Sequence, residues 1–139
     1  MTDPIVQTLE LATTAHHAFD AYAAIGTWWD PQYTRDAKTL RSVTIEPRVG
    51  GRVVAHHADG DDDWGEVTRW DPPRALAYTT NLAQDGAAPS TIELTFVSTG
   101  DRTIVRFEHG GWTAANAHVS EKFRDWSKLL ARFAAHAQR

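Results

Sequence analysis

Polar and apolar positions change period along the chain, and each change marks a new element. Ile5, Gln7, Leu9 and Leu11 alternate with Val6, Thr8 and Glu10, the period of two that a strand with one wet face requires. From Thr14 the spacing lengthens. Ala15, Phe19, Tyr22 and Ala23 recur at helical intervals, which predicts a short helix to about Ala24, with Thr14 as N-cap and Gly26 as its stop. Trp28 and Trp29 follow in a segment broken by Asp30-Pro31, so this pair is expected on a one-turn helix or a loop. Two short helices after the first strand are therefore predicted.

Between Leu40 and Trp112 the pattern is one of strands divided by turn residues. Strands are predicted over residues 43–47, 52–58, 64–70, 75–80, 91–98 and 103–109. The breaks fall at Val49-Gly50-Gly51, Asp59-Gly60, Asp71-Pro72-Pro73, a loop from Asn81 to Pro89, and Gly100-Asp101. This reads as an antiparallel meander, and with the first strand the count is about seven. The last segment returns to helical spacing. Val119, Phe123, Trp126, Leu130, Phe133 and Ala137 step by four and three, while Glu121, Asp125, Lys128 and Arg132 fall elsewhere around the wheel. A one-layer sheet has a bare apolar face, and this helix has an unpartnered apolar stripe. The fold expected is thus α+β, a curved antiparallel sheet closed by a long C-terminal helix.

At 139 residues the chain suits one domain, residues 1–139, and its 42% hydrophobic and 23% charged content excludes disordered and fibrous classes. Six tryptophans are many for this length, and each wide ring needs a thick core or a cavity wall. The net charge of -4 argues against nucleic acid as a partner, because that binding draws on clustered Lys and Arg. No run of eighteen apolar residues exists, and Met1-Thr2-Asp3-Pro4 lacks the regions of a signal peptide, so no membrane insertion and a cytoplasmic location are expected. With no cysteine there is no disulfide, thiol nucleophile or Cys-ligated metal.

Candidate chemistry is sparse. In the last strand Val105, Phe107 and His109 share an apolar, inward face, which leaves Glu108 pointing away and excludes a Glu108–His109 dyad. An inward His is a candidate polar anchor or general base as well as a core histidine. The doublets His16-His17 and His56-His57 cannot converge on a metal, since neighbours on a strand or helix diverge; one of His56 and His57 must still face the concave side. Asp59-Gly60-Asp61-Asp62-Asp63 lacks the distal glutamate of a calcium loop and reads as a solvated hairpin loop. Gly50-Gly51 is turn geometry, without the Lys-Ser/Thr of a phosphate loop. Neither metal nor cofactor is expected. The aromatic positions Trp28, Trp29, Trp64, Tyr78, Phe107, Trp112, Phe123 and Trp126 remain, with Leu130 beside them, either as core or as pocket wall. Trp28 and Trp29, in irregular backbone, suit a lid or platform.

Four stretches carry a family resemblance: residues 45–52 (Ile-Glu-Pro-Arg-Val-Gly-Gly-Arg), Trp64-Gly65-Glu66-Val67, Trp70-Asp71-Pro72-Pro73-Arg74-Ala75-Leu76, and Phe107-Glu108-His109 with Gly111-Trp112. In this order the chain resembles the START/Bet v/polyketide-cyclase (SRPBCC) superfamily, and within it the AHSA-like branch named for activators of a heat-shock protein ATPase. The resemblance implies a helix-grip fold with a cavity between sheet and helix, in which members bind apolar molecules and a minority catalyse cyclisation, dehydration or condensation. The co-chaperones of the branch carry an additional N-terminal domain that these residues do not contain, so ATPase activation is not the expectation. The leading expectation is binding of a small hydrophobic or aromatic ligand, oriented by His109 or Tyr78. One alternative is a cyclase or dehydratase using His109, with Glu66 a distant second. Another is a chaperone-accessory or regulatory protein-interaction module. A homodimer is compatible with all three.

Overall fold

The computed structural model describes residues 3–81, 88–123 and 125–139, without the side chains of residues 119, 121 and 122. Seven strands run in the order β1-β7-β6-β5-β4-β3-β2, every neighbour antiparallel. They are β1 (Ile5–Leu11), β2 (Leu40–Ile45), β3 (Arg52–His57), β4 (Gly60–Asp71), β5 (Ala75–Thr80), β6 (Ser90–Thr99) and β7 (Arg102–Gly110). Consecutive strands β2 to β7 form the expected meander, and β1 closes against β7, placing Leu9 opposite Val105 and Gln7 opposite Phe107. The expected loop from Asn81 to Pro89 falls largely on residues 82–87, outside the described residues.

Helix α1 (Ala15–Ala23) begins where Thr14 caps it, the Thr14 hydroxyl accepting from the His17 N–H at 3.1 Å. Phe19 packs against Trp70 of β4 and Phe96 of β6, while Tyr22 turns to Phe133. Two 3-10 turns follow, Ile25–Thr27 and Pro31–Tyr33, in place of the second short helix. Gly26 does not stop α1, which has ended by Ala23. A Cβ at Gly26 would lie 2.7 Å from the Val43 carbonyl, so its missing side chain lets this turn sit directly on β2.

Two other expectations are corrected. The acidic run is strand: the β3–β4 turn is at Ala58 and Asp59, and Asp61 and Asp62 pair with His56 and Ala55. Turn-forming residue types gave way there to the ladder with β3, and the carboxylates pair with Arg35, Arg52 and His56. The C-terminal α-helix, α2 (Trp126–Ala137), is also shorter than its apolar pattern, because residues Ala117–Phe123 form a 3-10 helix. A 3-10 helix turns every three residues and an α-helix every 3.6, and over so short a segment the apolar spacing does not separate the two.

The core lies between the concave face of the sheet and the two α-helices. Phe107, Leu94, Val105 and Phe133 are wholly buried there, with Leu130 beside them. At its centre the Tyr22 and Tyr78 hydroxyls share a hydrogen bond of 2.7 Å, and burial pushes both phenols up, so they stay neutral.

Candidate functional site

A cavity of about 540 Å³ opens at one end of the sheet–helix interface. Its walls are Trp29, Trp64, Phe123, Trp126 and Leu129, and its polar side is formed by residues 32–35, Asp62, Asp63, Asn81 and Asp125. Four separate parts of the chain meet at it: the turn after α1, the start of β4, the end of β5, and the junction of the last 3-10 helix with α2.

Trp64 reaches this wall through a bulge. Val53 pairs with Gly65 and Val54 with Asp63, so Trp64 is the extra residue of β4. Strict alternation would put Trp64 and Gly65 on opposite faces, yet both are buried, with Asp63 and Glu66 outside. The bulge turns the indole inward. It also brings Gly65 so close to β5 that a Cβ would collide with the Thr79 carbonyl oxygen.

The aromatic wall is continuous. Ring centroids lie 5.2 Å apart for Trp29 and Trp64 and 6.0 Å for Trp29 and Trp126, while Phe123 and Trp126 are nearly parallel at 12°. Arg132 holds the first of these walls from behind, donating from Nε to the Trp28 carbonyl at 2.7 Å. The Trp29 indole N–H is buried and, among the described residues, has no hydrogen-bond partner. Across the mouth the Tyr33 hydroxyl donates to Asp125 at 2.8 Å, a bond that raises the phenol pKa and keeps the group protonated. Arg35 spans Asp62 and Asp59 at 2.7 and 2.8 Å; these bonds raise its pKa, and the same contact lowers that of Asp59. The polar side is therefore cross-linked, and the aromatic side offers flat apolar surface.

Of the residues singled out from sequence, Trp29, Trp64, Phe123 and Trp126 come together around this cavity. Trp28, Tyr78, Phe107, Trp112 and Leu130 are in the adjoining core. Trp28 packs between Tyr22 and Phe133, its indole N–H bonded to the Ala21 carbonyl. Trp112 donates to the His109 carbonyl. His109 points inward as alternation predicts, but both ring nitrogens are engaged and the side chain does not reach the cavity. Glu66 faces outward and pairs with Arg52 at 3.2 Å. His57 is the inward member of its doublet, bonded to Thr39 at 2.8 Å. Sequence reasoning missed Tyr33, Arg35, Asn81, Asp125 and Leu129, and read Asp62 and Asp63 as loop. Only Asp30-Pro31 signalled the turn that carries Tyr33; its Asp30 side chain caps that turn by accepting from Gln32.

The family model for activator of Hsp90 ATPase homolog 1-like protein matches residues 14–138. The chain belongs to that family. Its resemblance to the AHSA-like branch of the SRPBCC superfamily is thereby borne out. Among solved structures, protein MLL2253 from Mesorhizobium loti is similar, with a TM-score of 0.72 at 22% identity over 96% of this chain and 95% of that one. The Aha1 dimer from Colwellia psychrerythraea gives 0.71 at 15% identity, over 98% and 96%. An anthrahydroquino-γ-pyrone synthase, Txn09, solved in complex with SUM, gives 0.62 at 28% identity over 95% of each chain. No curated protein matches the chain in sequence. Among the described residues no helix is long and apolar enough to cross a membrane, and no group of three or more His, Asp or Glu is arranged to hold a metal ion.

Proposed function

We propose that this protein binds a small aromatic or hydrophobic ligand in the cavity between the first turns of α2 and the start of β4. The observation that carries the reading is the wall of Trp29, Trp64, Phe123 and Trp126 around about 540 Å³, within the range of small-molecule sites. Flat rings lining a recess gain from the removal of apolar surface and from ring stacking, so a planar ligand suits it better than a flexible chain. The polar groups on the opposite side would meet substituents on the ligand edge. The likeness to Txn09 supports a ring-bearing ligand, since that protein is named a synthase of an anthrahydroquino-γ-pyrone.

Native mass spectrometry of the freshly purified protein, followed by thermal shifts against a panel of lipids and aromatic compounds, tests the reading. A retained apolar ligand or a shift with aromatic compounds is expected, reduced about tenfold in affinity by Trp64→Ala. A clean apo mass with no shift across the panel would refute it.

A second reading, catalysis in the same cavity, is favoured by the synthase likeness. It would fall to the cavity groups Tyr33, Asp62, Asp63 and Asp125 rather than to His109. A kcat at saturating substrate that survives His109→Phe but not Tyr33→Phe would support it.

A further inference from the structure

Trp126 is both the first residue of α2 and a wall of the cavity, and its indole N–H is bonded to a group that does not line the cavity. An indole N–H can only donate, and here it donates to Nδ1 of His109 at 2.9 Å. A neutral imidazole accepts at one nitrogen and donates from the other. The proton therefore sits on Nε2, which is 2.6 Å from the Ser90 hydroxyl. Burial lowers the His109 pKa to about 3, in keeping with a neutral ring.

The imidazole is itself immobilised. It is wholly buried, with Phe123 set edge-on at 4.4 Å and Trp112 at 4.6 Å between centroids. Ser90 is anchored too. It opens β6 directly after Ala88 and Pro89, whose carbonyls accept from the buried Asn116 amide at 3.0 and 3.2 Å. A chain of hydrogen bonds thus runs from the start of β6 through Ser90 and His109 to one wall of the cavity.

We infer that His109 is a positioning residue, which sets ligand affinity through Trp126 without touching the ligand. Removing its acceptor leaves a buried indole N–H unpaired, beside a cavity that water can enter. The ring then turns toward that water and the flat wall is lost. This inference rests on the cavity being the binding site.

A double-mutant cycle tests it, with 2-naphthol as the probe by calorimetry and the Trp126 indole N–H followed by NMR. His109→Phe should weaken 2-naphthol binding about tenfold and move the indole resonance, with faster solvent exchange. In a Trp126→Phe background the same substitution should change affinity less than twofold. His109→Asn, whose amide oxygen can stand where Nδ1 stood, should recover most of the loss. An undiminished effect of His109→Phe in the Trp126→Phe background would overturn the proposal, as would an unmoved indole resonance. If His109→Phe fails to fold, Ser90→Ala replaces it. That variant should shift the same resonance and weaken binding, and no change in either would count against the chain of bonds. If the wild-type protein binds neither 2-naphthol nor any member of the panel, the cavity reading fails instead. The role in affinity fails with it, and the indole resonance alone then decides whether His109 positions Trp126.

Discussion

A histidine kept neutral by burial makes the fold sensitive to acid. The ordinary pKa of the ring, 6.5, falls to about 3 in the folded protein because the charged form would be desolvated. Below pH 6.5 the unfolded chain takes up a proton that the folded chain refuses until about pH 3. Stability is therefore lost as pH falls through this window, at up to about 1.4 kcal/mol per pH unit from His109 alone, and is unaffected by it above. Urea unfolding at pH 7.5, 6 and 5 should show a steeper decline for the wild type than for His109→Phe; parallel declines would contradict the assignment. At the same scale Thr14→Ala removes the cap of α1 and should cost about 0.5–2 kcal/mol, read from the urea midpoint.

Among the elements, β4 does most to create the cavity. Its bulge at Trp64 turns one indole inward, and Gly65 beside it is held against the Thr79 carbonyl with no space for a side chain. Gly65→Ala should force β4 and β5 apart and destabilise the protein by roughly 1–3 kcal/mol or more, with loss of probe binding. Gly60→Ala, where no neighbour lies within 4 Å and the cost comes from a φ of 140° instead of a close approach, should destabilise without that loss of probe binding. If Gly65→Ala left stability and binding unchanged, the close approach would have no consequence. The same motif, Trp64-Gly65-Glu66-Val67, was readable as a family mark, but its mechanical meaning was not. Alternation assigns faces only while the ladder is regular, and an extra residue reverses the assignment on one side of it.

For the whole molecule the decisive fact is where the cavity lies along the helix–sheet interface. Beyond Trp126, α2 buries Leu130 and Phe133, the latter packed on Tyr22 and Trp28, and the cavity opens at the end where α2 begins. Phe133→Ala should cost about 3–5 kcal/mol, measured by urea unfolding, as loss of a fully buried ring does. If the protein still folds, the space so opened adjoins the aromatic core, and larger ring systems should gain affinity relative to 2-naphthol. A loss below 1 kcal/mol would show that the ring is not part of the filled core.

The sequence by itself determined the class of fold, the number of strands, α1 with its Thr14 cap, and the inward face of Val105, Phe107 and His109. Those features depend on the period of neighbouring residues, and period is local. What only the tertiary structure decided is which aromatic side chains wall a cavity and which fill a core. Trp28 and Trp29 are adjacent in sequence and alike in composition, yet one is locked between Tyr22 and Phe133 and the other faces open space. His109, readable as a ligand anchor, is instead occupied by Ser90 and Trp126, residues 19 and 17 positions away. Volume left over after packing depends on every element at once, and no single segment of the chain encodes it.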